Sequence, residues 1–212
     1  RLIVRYNGNP VVDMDNEFLH EGIPQRQLKA IIEKPIFDNS KVESPISNID
    51  TKQTLLSLLA HPNIASKSSV IRIYDHEIQG GTVVKPLTGV EADAPSDATV
   101  IKPIGTKGMK GIVLSNGINP EYGKHDAYHM AFAVIDEAIR NAVAVGADPE
   151  RIAILDNFCW GDPKRPETLG SLVEAARGCH DAALLFRTPF ISGKDSLNNE
   201  YLGTDGQRHA IP

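Results

Sequence analysis

Three stretches of this sequence hold residues whose types and spacing could do chemistry. The first is Ile152-Ala153-Ile154-Leu155-Asp156-Asn157-Phe158-Cys159-Trp160-Gly161. Its apolar start predicts a buried strand over Arg151 to Leu155 that delivers Asp156 and Asn157 to its carboxyl end, with a glycine-containing loop after it. Such an end suits a ligand group, because the strand fixes the backbone while the loop leaves space. A plainer reading, in which Asp156 only caps the loop, is equally open. The second stretch is Thr188-Pro189-Phe190-Ile191-Ser192-Gly193-Lys194-Asp195-Ser196. Here Gly193 would let a backbone approach a phosphate, Lys194 brings positive charge and Ser196 a hydroxyl. It is not a P-loop: the glycine five positions before the Gly-Lys pair and the hydroxyl residue after it are replaced by Thr188 and Asp195. A polar turn following a strand is the competing reading. In the third, Glu137 and Asn141 stand four apart on a strongly periodic helix and share a face. Their oxygens suit Mg, which takes carboxylate, phosphate and water oxygens, and Asp97 at the start of a strand offers a further carboxylate. Most such pairs are simply solvated.

Other reactive types lead less far. His61, His76, His125, His129, His180 and His209 are dispersed, and no His-Glu-x-x-His pattern surrounds His125 and His129. The two cysteines, Cys159 and Cys179, form neither a disulfide framework nor a zinc pair, which points to a reduced, cytosolic setting. Cys159 has no base near it in sequence and reads as a packed thiol. A net charge of −5 with scattered Lys and Arg argues against nucleic acid as a partner. No apolar run approaches the ~20 residues that span a bilayer, so no membrane is expected either. A small anion remains admissible.

The elements that must position these residues follow from pattern. Leu2 to Tyr6 and Pro10 to Met14, around Asn7-Gly8-Asn9, predict a hairpin. Phe18 to Asn48, interrupted by Pro24, Pro35 and Pro45, reads as a connector with one short helix or strand around Leu28 to Ile32. A helix capped by Asp50 or Thr51 runs to Leu59. Val70 to Tyr74, Thr82 to Pro86, Ala98 to Ile104 and Gly111 to Ser115 predict strands, with the polar segment from Asp75 to Gly81 between the first two. The clearest helix spans Asp126 to Val145, closed by Gly146; a second runs from Glu167 to Phe186, and Pro189 to Ser192 is a last strand. The apolar end Ala210-Ile211-Pro212 reads as interrupted. This order fits an α+β layer of helices over a mixed sheet.

Four ordered stretches, HPNIASKSSVIRIYDHEIQGGTVVKPLTG, DEAIRNAVAVGADP, LDNFCWGDPKRPE and TPFISGKDSLNNEY, resemble one family. They are similar to the second ATP-binding-type domain of phosphoribosylformylglycinamidine synthase, the synthetase part of formylglycinamide ribonucleotide amidotransferase. The dense resemblance runs from His61 to Tyr201, and VVDMDNEFLHEGIP is similar to the end of the family's preceding domain.

The resemblance implies an aminoimidazole-ribonucleotide-synthetase-like N-terminal domain over residues 49–212, preceded by a domain tail and linker over 1–48. It implies a sheet face that pairs with a sister repeat in a pseudo-twofold barrel. It further implies an ATP-dependent C–N ligase of purine biosynthesis, with formylglycinamide ribonucleotide as substrate, Mg as cofactor and ammonia from a glutaminase partner. On matched positions it assigns ATP to Asp156 and Gly193, and the ribonucleotide to Ser196. Asp97, Glu137 and Asn141 match an auxiliary Mg set. Lys194 occupies a metal-ligand position, but an ammonium cannot ligate Mg. The family's catalytic histidine and main phosphate loop belong to the first repeat, so the chain is expected to be an internal piece, inactive alone and prone to pair with itself. Two other readings compete: a selenophosphate- or thiamine-phosphate-type enzyme of the same superfamily, for which the glycine- and aspartate-rich N-terminal motifs are not seen, and a non-catalytic scaffold.

Overall fold

The computed structural model describes residues 1–33, 49–74 and 76–210. Pro35, Pro45, Asp75 and the Ile211-Pro212 end lie outside the described residues. The core forms where two long helices cross, α5 (Ala127–Ala144) and α6 (Pro166–Phe186). Asp126 caps α5 by accepting from the His129 amide, and Gly146 follows the helix at φ +99°. The buried residues are mostly small: Ala127, Ala131 and Ala142, with Ile135, on α5, and Gly170, Ala175, Gly178 and Ala182 on α6, where Gly178 meets Ala131 and the Tyr128 backbone. Small side chains let the backbones approach closely, and Tyr128 locks the crossing by donating its hydroxyl to Asp181 at 2.9 Å. The Arg177 guanidinium lies 5.7 Å from the centre of the Tyr128 ring.

Strands accompany this pair in small sheets. β1 (Leu2–Tyr6) and β2 (Asn9–Met14) form the expected hairpin, its turn carried by Asn7 and Gly8 at positive φ. β3 (Thr82–Val84), β6 (Thr99–Ile101) and β7 (Ile112–Leu114) make an antiparallel sheet of order β3-β6-β7, while β4 (Leu87–Thr88) pairs with β5 (Ala94–Pro95). β8 (Ile154–Cys159) and β9 (Phe190–Ser196) run parallel, joined by the α6 crossover. β10 (Glu200–Leu202) and β11 (Arg208–Ala210) close the described chain as a hairpin. The shorter helices are α1 (Asn16–Glu21), α2 (Thr51–Ala60, capped by Asp50 as expected), α3 (Ser68–Ile71) and α4 (Pro120–Gly123). Among the described residues no helix is long and apolar enough to cross a membrane.

Several expectations need correction. Val70 to Tyr74 is not a strand: the amides of Val70 and Ile71 both return to the Lys67 carbonyl, which winds α3. Leu28 to Ile32 is neither helix nor strand. It is an irregular segment docked on the start of α6, with the Ile31 amide donating to the Pro166 carbonyl at 2.9 Å. Gly170 has no Cβ to obstruct that approach; one would fall 2.5 Å from the Ile31 carbonyl carbon. The supposed connector instead holds α1, capped by Asp15. The strand expected over Arg151 to Leu155 starts later, because Pro149 to Arg151 form a 3₁₀ turn, and it continues to Cys159. The strand expected to stop at Ser192 runs on to Ser196.

Candidate functional site

Those last two shifts change how the candidate residues are presented. Asp156 lies inside β8 rather than at its end, and Gly193, Lys194 and Ser196 belong to β9 rather than to a turn. The parallel register sets Asp156 beside Gly193, Asn157 beside Lys194, Phe158 beside Asp195 and Cys159 beside Ser196. Side chains alternate along a strand, so this pair has two faces. Asp156, Phe158, Gly193 and Asp195 share one; Asn157, Cys159, Lys194 and Ser196 share the other.

The first face looks toward α6. A groove of about 270 Å³ opens there, lined by Asp156, Phe158, Ala176, Cys179, His180 and Phe190. The Asp156 carboxylate packs on the bare Cα of Gly193, so closely that a Cβ there would stand 2.6 Å from Asp156 Cγ. The Lys194 backbone amide lies within reach of this carboxylate, and the Asp195 side chain is placed to hydrogen-bond with it. Burial, then the Asp195 charge and that hydrogen bond, raise the Asp156 carboxyl above the usual aspartate range. Burial, and then the Asp156 charge, push the Cys179 thiol up to about 11, so it stays neutral and is a poor nucleophile.

The raised Asp156 pKa has a stability consequence. A folded-state pKa above the unfolded value means that the native state holds more protons in that interval, so stability falls as pH rises through it. Asp156→Asn is therefore expected to raise the thermal midpoint at neutral pH, with the gain vanishing below the unfolded aspartate range. Melting curves from acid to neutral pH test this; a gain that persisted at low pH would contradict it.

On the second face Lys194 turns away from both aspartates and donates its ammonium to Ser196 Oγ. Asn199 reaches across to the Cys159 thiol at 2.7 Å. The structure thus brings Asp156 and Gly193 into contact, and places Ser196 three residues along the same strand on its opposite face.

Two residues of the expected metal set, Glu137 and Asn141, lie elsewhere, on α5. Glu137 accepts from the Ile118 amide at 3.1 Å, and Asn141 donates its side-chain amide to the Asn116 carbonyl at 3.1 Å. Ser115 adds a bond to the Ala138 carbonyl at 2.7 Å, so the loop after β7 is strapped to the helix. Asp97 is exposed in the bend just before β6, off this helix. Carboxylate and amide oxygens fit Mg by type, whereas Lys194 does not fit and lies on β9. No cluster of three or more His, Cys, Asp or Glu occurs among the described residues.

Two residues at this site escape a reading of the sequence, Asp195 and Cys179. Asp195 would emerge once β9 is extended through the polar Gly193 to Ser196 run, since alternation then puts it on the Asp156 face, whereas Cys179 is brought there by α6.

Residues 95–205 match the family model of the AIR synthase related protein, N-terminal domain. The chain is 38% identical over all of its 212 residues to the phosphoribosylformylglycinamidine synthase subunit PurL of Methanocaldococcus jannaschii, of which it covers 27%. To the PurL subunit of Methanothermobacter thermautotrophicus it is 37% identical, covering 96% of this chain and 26% of that one. The chain therefore spans about a quarter of the length of these curated relatives. Among solved structures, PurLQS from Thermotoga maritima superposes with a TM-score of 0.63 at 22% identity, over 97% of this chain and 29% of that one. T. maritima PurL complexed with ATP gives 0.60 at 21%, over 95% and 28%. These two share the fold.

Proposed function

The chain belongs to the family of the AIR synthase related protein, N-terminal domain, and on that premise we propose that it forms an ATP-handling repeat of a phosphoribosylformylglycinamidine synthase. In this reading residues 49–212 are the repeat, and 1–48 are the tail of a preceding domain; the self-contained hairpin β1–β2 supports that division. Asp156 and Gly193 contact ATP, and Ser196 contacts formylglycinamide ribonucleotide. Asp97, Glu137 and Asn141 hold Mg, which when bound would offset phosphate charge. The whole reaction, forming a C–N bond with ammonia from a glutaminase partner in the cytosol, needs the sister repeat as well. The chain alone is accordingly inactive.

The observation that carries the reading is the seating of the Asp156 carboxylate on Gly193. The two residues that the family likeness assigns to one nucleotide, far apart in sequence, are register partners in direct contact. Exposed apolar residues on these strands support the sister-repeat interface: Leu155 is 64% and Ile191 67% exposed. Such surface favours a second sheet, either the sister repeat or another copy of this chain.

Calorimetry with Mg and ATP tests the assignment. Wild-type chain is expected to release heat, and Asp156→Ala to lose affinity by roughly tenfold or more, ~1.4 kcal/mol. No heat at millimolar nucleotide would favour the scaffold reading instead.

A further inference from the structure

We infer that Glu200 is a positioning residue for this site: through Asp162 and Arg165 it holds the loop leaving β8, the strand that carries Asp156, and so fixes the end of β9 at Ser196. The inference rests on the nucleotide-handling reading of β8 and β9. Glu200 opens β10, and its side chain is only 3% exposed. Its Oε1 receives the Asp162 amide at 2.8 Å and also the Arg165 guanidinium. A carboxylate removed from water is costly unless it is both paired and hydrogen-bonded, and here it is both. Gly161 makes room for this arrangement: a Cβ there would lie 3.0 Å from both Glu200 Oε1 and Arg165 Nη2.

The latch acts on the site through backbone. Past the last ladder pair, Cys159 with Ser196, the Trp160 amide donates to the Ser196 carbonyl at 2.9 Å, and the Asn199 amide to the Trp160 carbonyl at 2.9 Å. The Ser196 peptide is thus held by the residue next to Gly161. Loosening the loop from Arg165 back to Gly161 frees Trp160, and with it the end of β9. Position here matters more than bulk stability, since small displacements of contacting groups are felt strongly in binding and catalysis.

Stability and positioning can be separated, because a buried carboxylate replaced together with its half-exposed partner by apolar residues of similar size often keeps the fold as stable as before. The full chain carrying Arg165→Met with Glu200→Leu is expected to melt near the wild-type temperature. It should bind Mg·ATP roughly tenfold more weakly and exchange the amide protons of Asp162 and Trp160 faster. Glu200→Gln keeps an acceptor for Asp162 and should fall between the two; it also serves if the double variant fails to fold. Unchanged exchange at Asp162 and Trp160 in both variants would overturn the inference, as would wild-type affinity in a double variant whose loop has loosened. If wild-type chain binds no nucleotide, the functional reading fails by itself, while the exchange measurement still decides whether Glu200 holds the loop.

Discussion

Gly193→Ala is expected to weaken Mg·ATP binding at least as far as Asp156→Ala does, and to destabilise the chain by ~1–3 kcal/mol, the usual range for overpacking. Gly193 is not among the residues with positive φ, so alanine meets no backbone strain there. The whole effect is collision. The new methyl carbon would stand 2.6 Å from Asp156 Cγ and 2.7 Å from Oδ2, well inside contact distance. The carboxylate can escape only by swinging out, away from the Lys194 amide and Asp195, or by spreading β8 from β9. Either response displaces the group assigned to ATP. Adding Asp156→Ala to Gly193→Ala removes the obstacle, so the double variant should regain part of the stability. Such non-additivity marks residues in contact. Urea midpoints for the four proteins and calorimetry on the two single variants check the argument. Wild-type affinity and midpoint in Gly193→Ala would mean that the carboxylate does not rest on the glycine.

The sequence was readable where local signals agree. Asp126 as a cap, the apolar stripe from Ala131 to Ala142 and Gly146 past the end all point to one helix, and α5 is there. The sequence marks Asp156 and Gly193 but not their contact, because the polar ends of both strands carry no strand signal. The Arg151 to Leu155 run looked like a strand, but Asp148 caps a turn at Pro149 and takes its first residue. The Gly193 to Ser196 run is polar on both faces and carries no hydrophobic period; it is extended because β8 supplies the ladder. Val70 to Tyr74 is the opposite case: its β-branched composition suits a strand, but its start winds into a short helix, which needs no partner. Asp195, Cys179 and Glu200 were silent for a common reason. Each acts through a partner 23 or more residues away, and a buried carboxylate such as Glu200 is indistinguishable in sequence from a solvated one.

The largest loss of stability should follow Gly178→Leu, about 3 kcal/mol or more, at the upper end of overpacking costs. Gly178 sits where α6 crosses the first turn of α5. A Cβ there would stand 2.9 Å from Ala131 Cβ and 3.1 Å from the Tyr128 carbonyl carbon. Neither obstacle is a flexible side chain; one is a methyl fixed to the helix and the other is backbone, so the helices must move apart bodily. Leucine is a better helix former than glycine by up to ~1 kcal/mol, so α6 itself would gain and any net loss belongs to the crossing. Separation would break the Tyr128–Asp181 hydrogen bond and lift Arg177 off the ring. It would also carry Cys179, one residue along, away from the groove where it faces Asp156, which links this variant to nucleotide binding as well as to stability. Leu184→Ala, at a position 68% exposed on the same helix, should shift the urea midpoint far less. If the midpoints of Gly178→Leu and wild type coincide, α5 and α6 do not cross at this glycine, and the account of the core as a small-residue contact between the two helices fails.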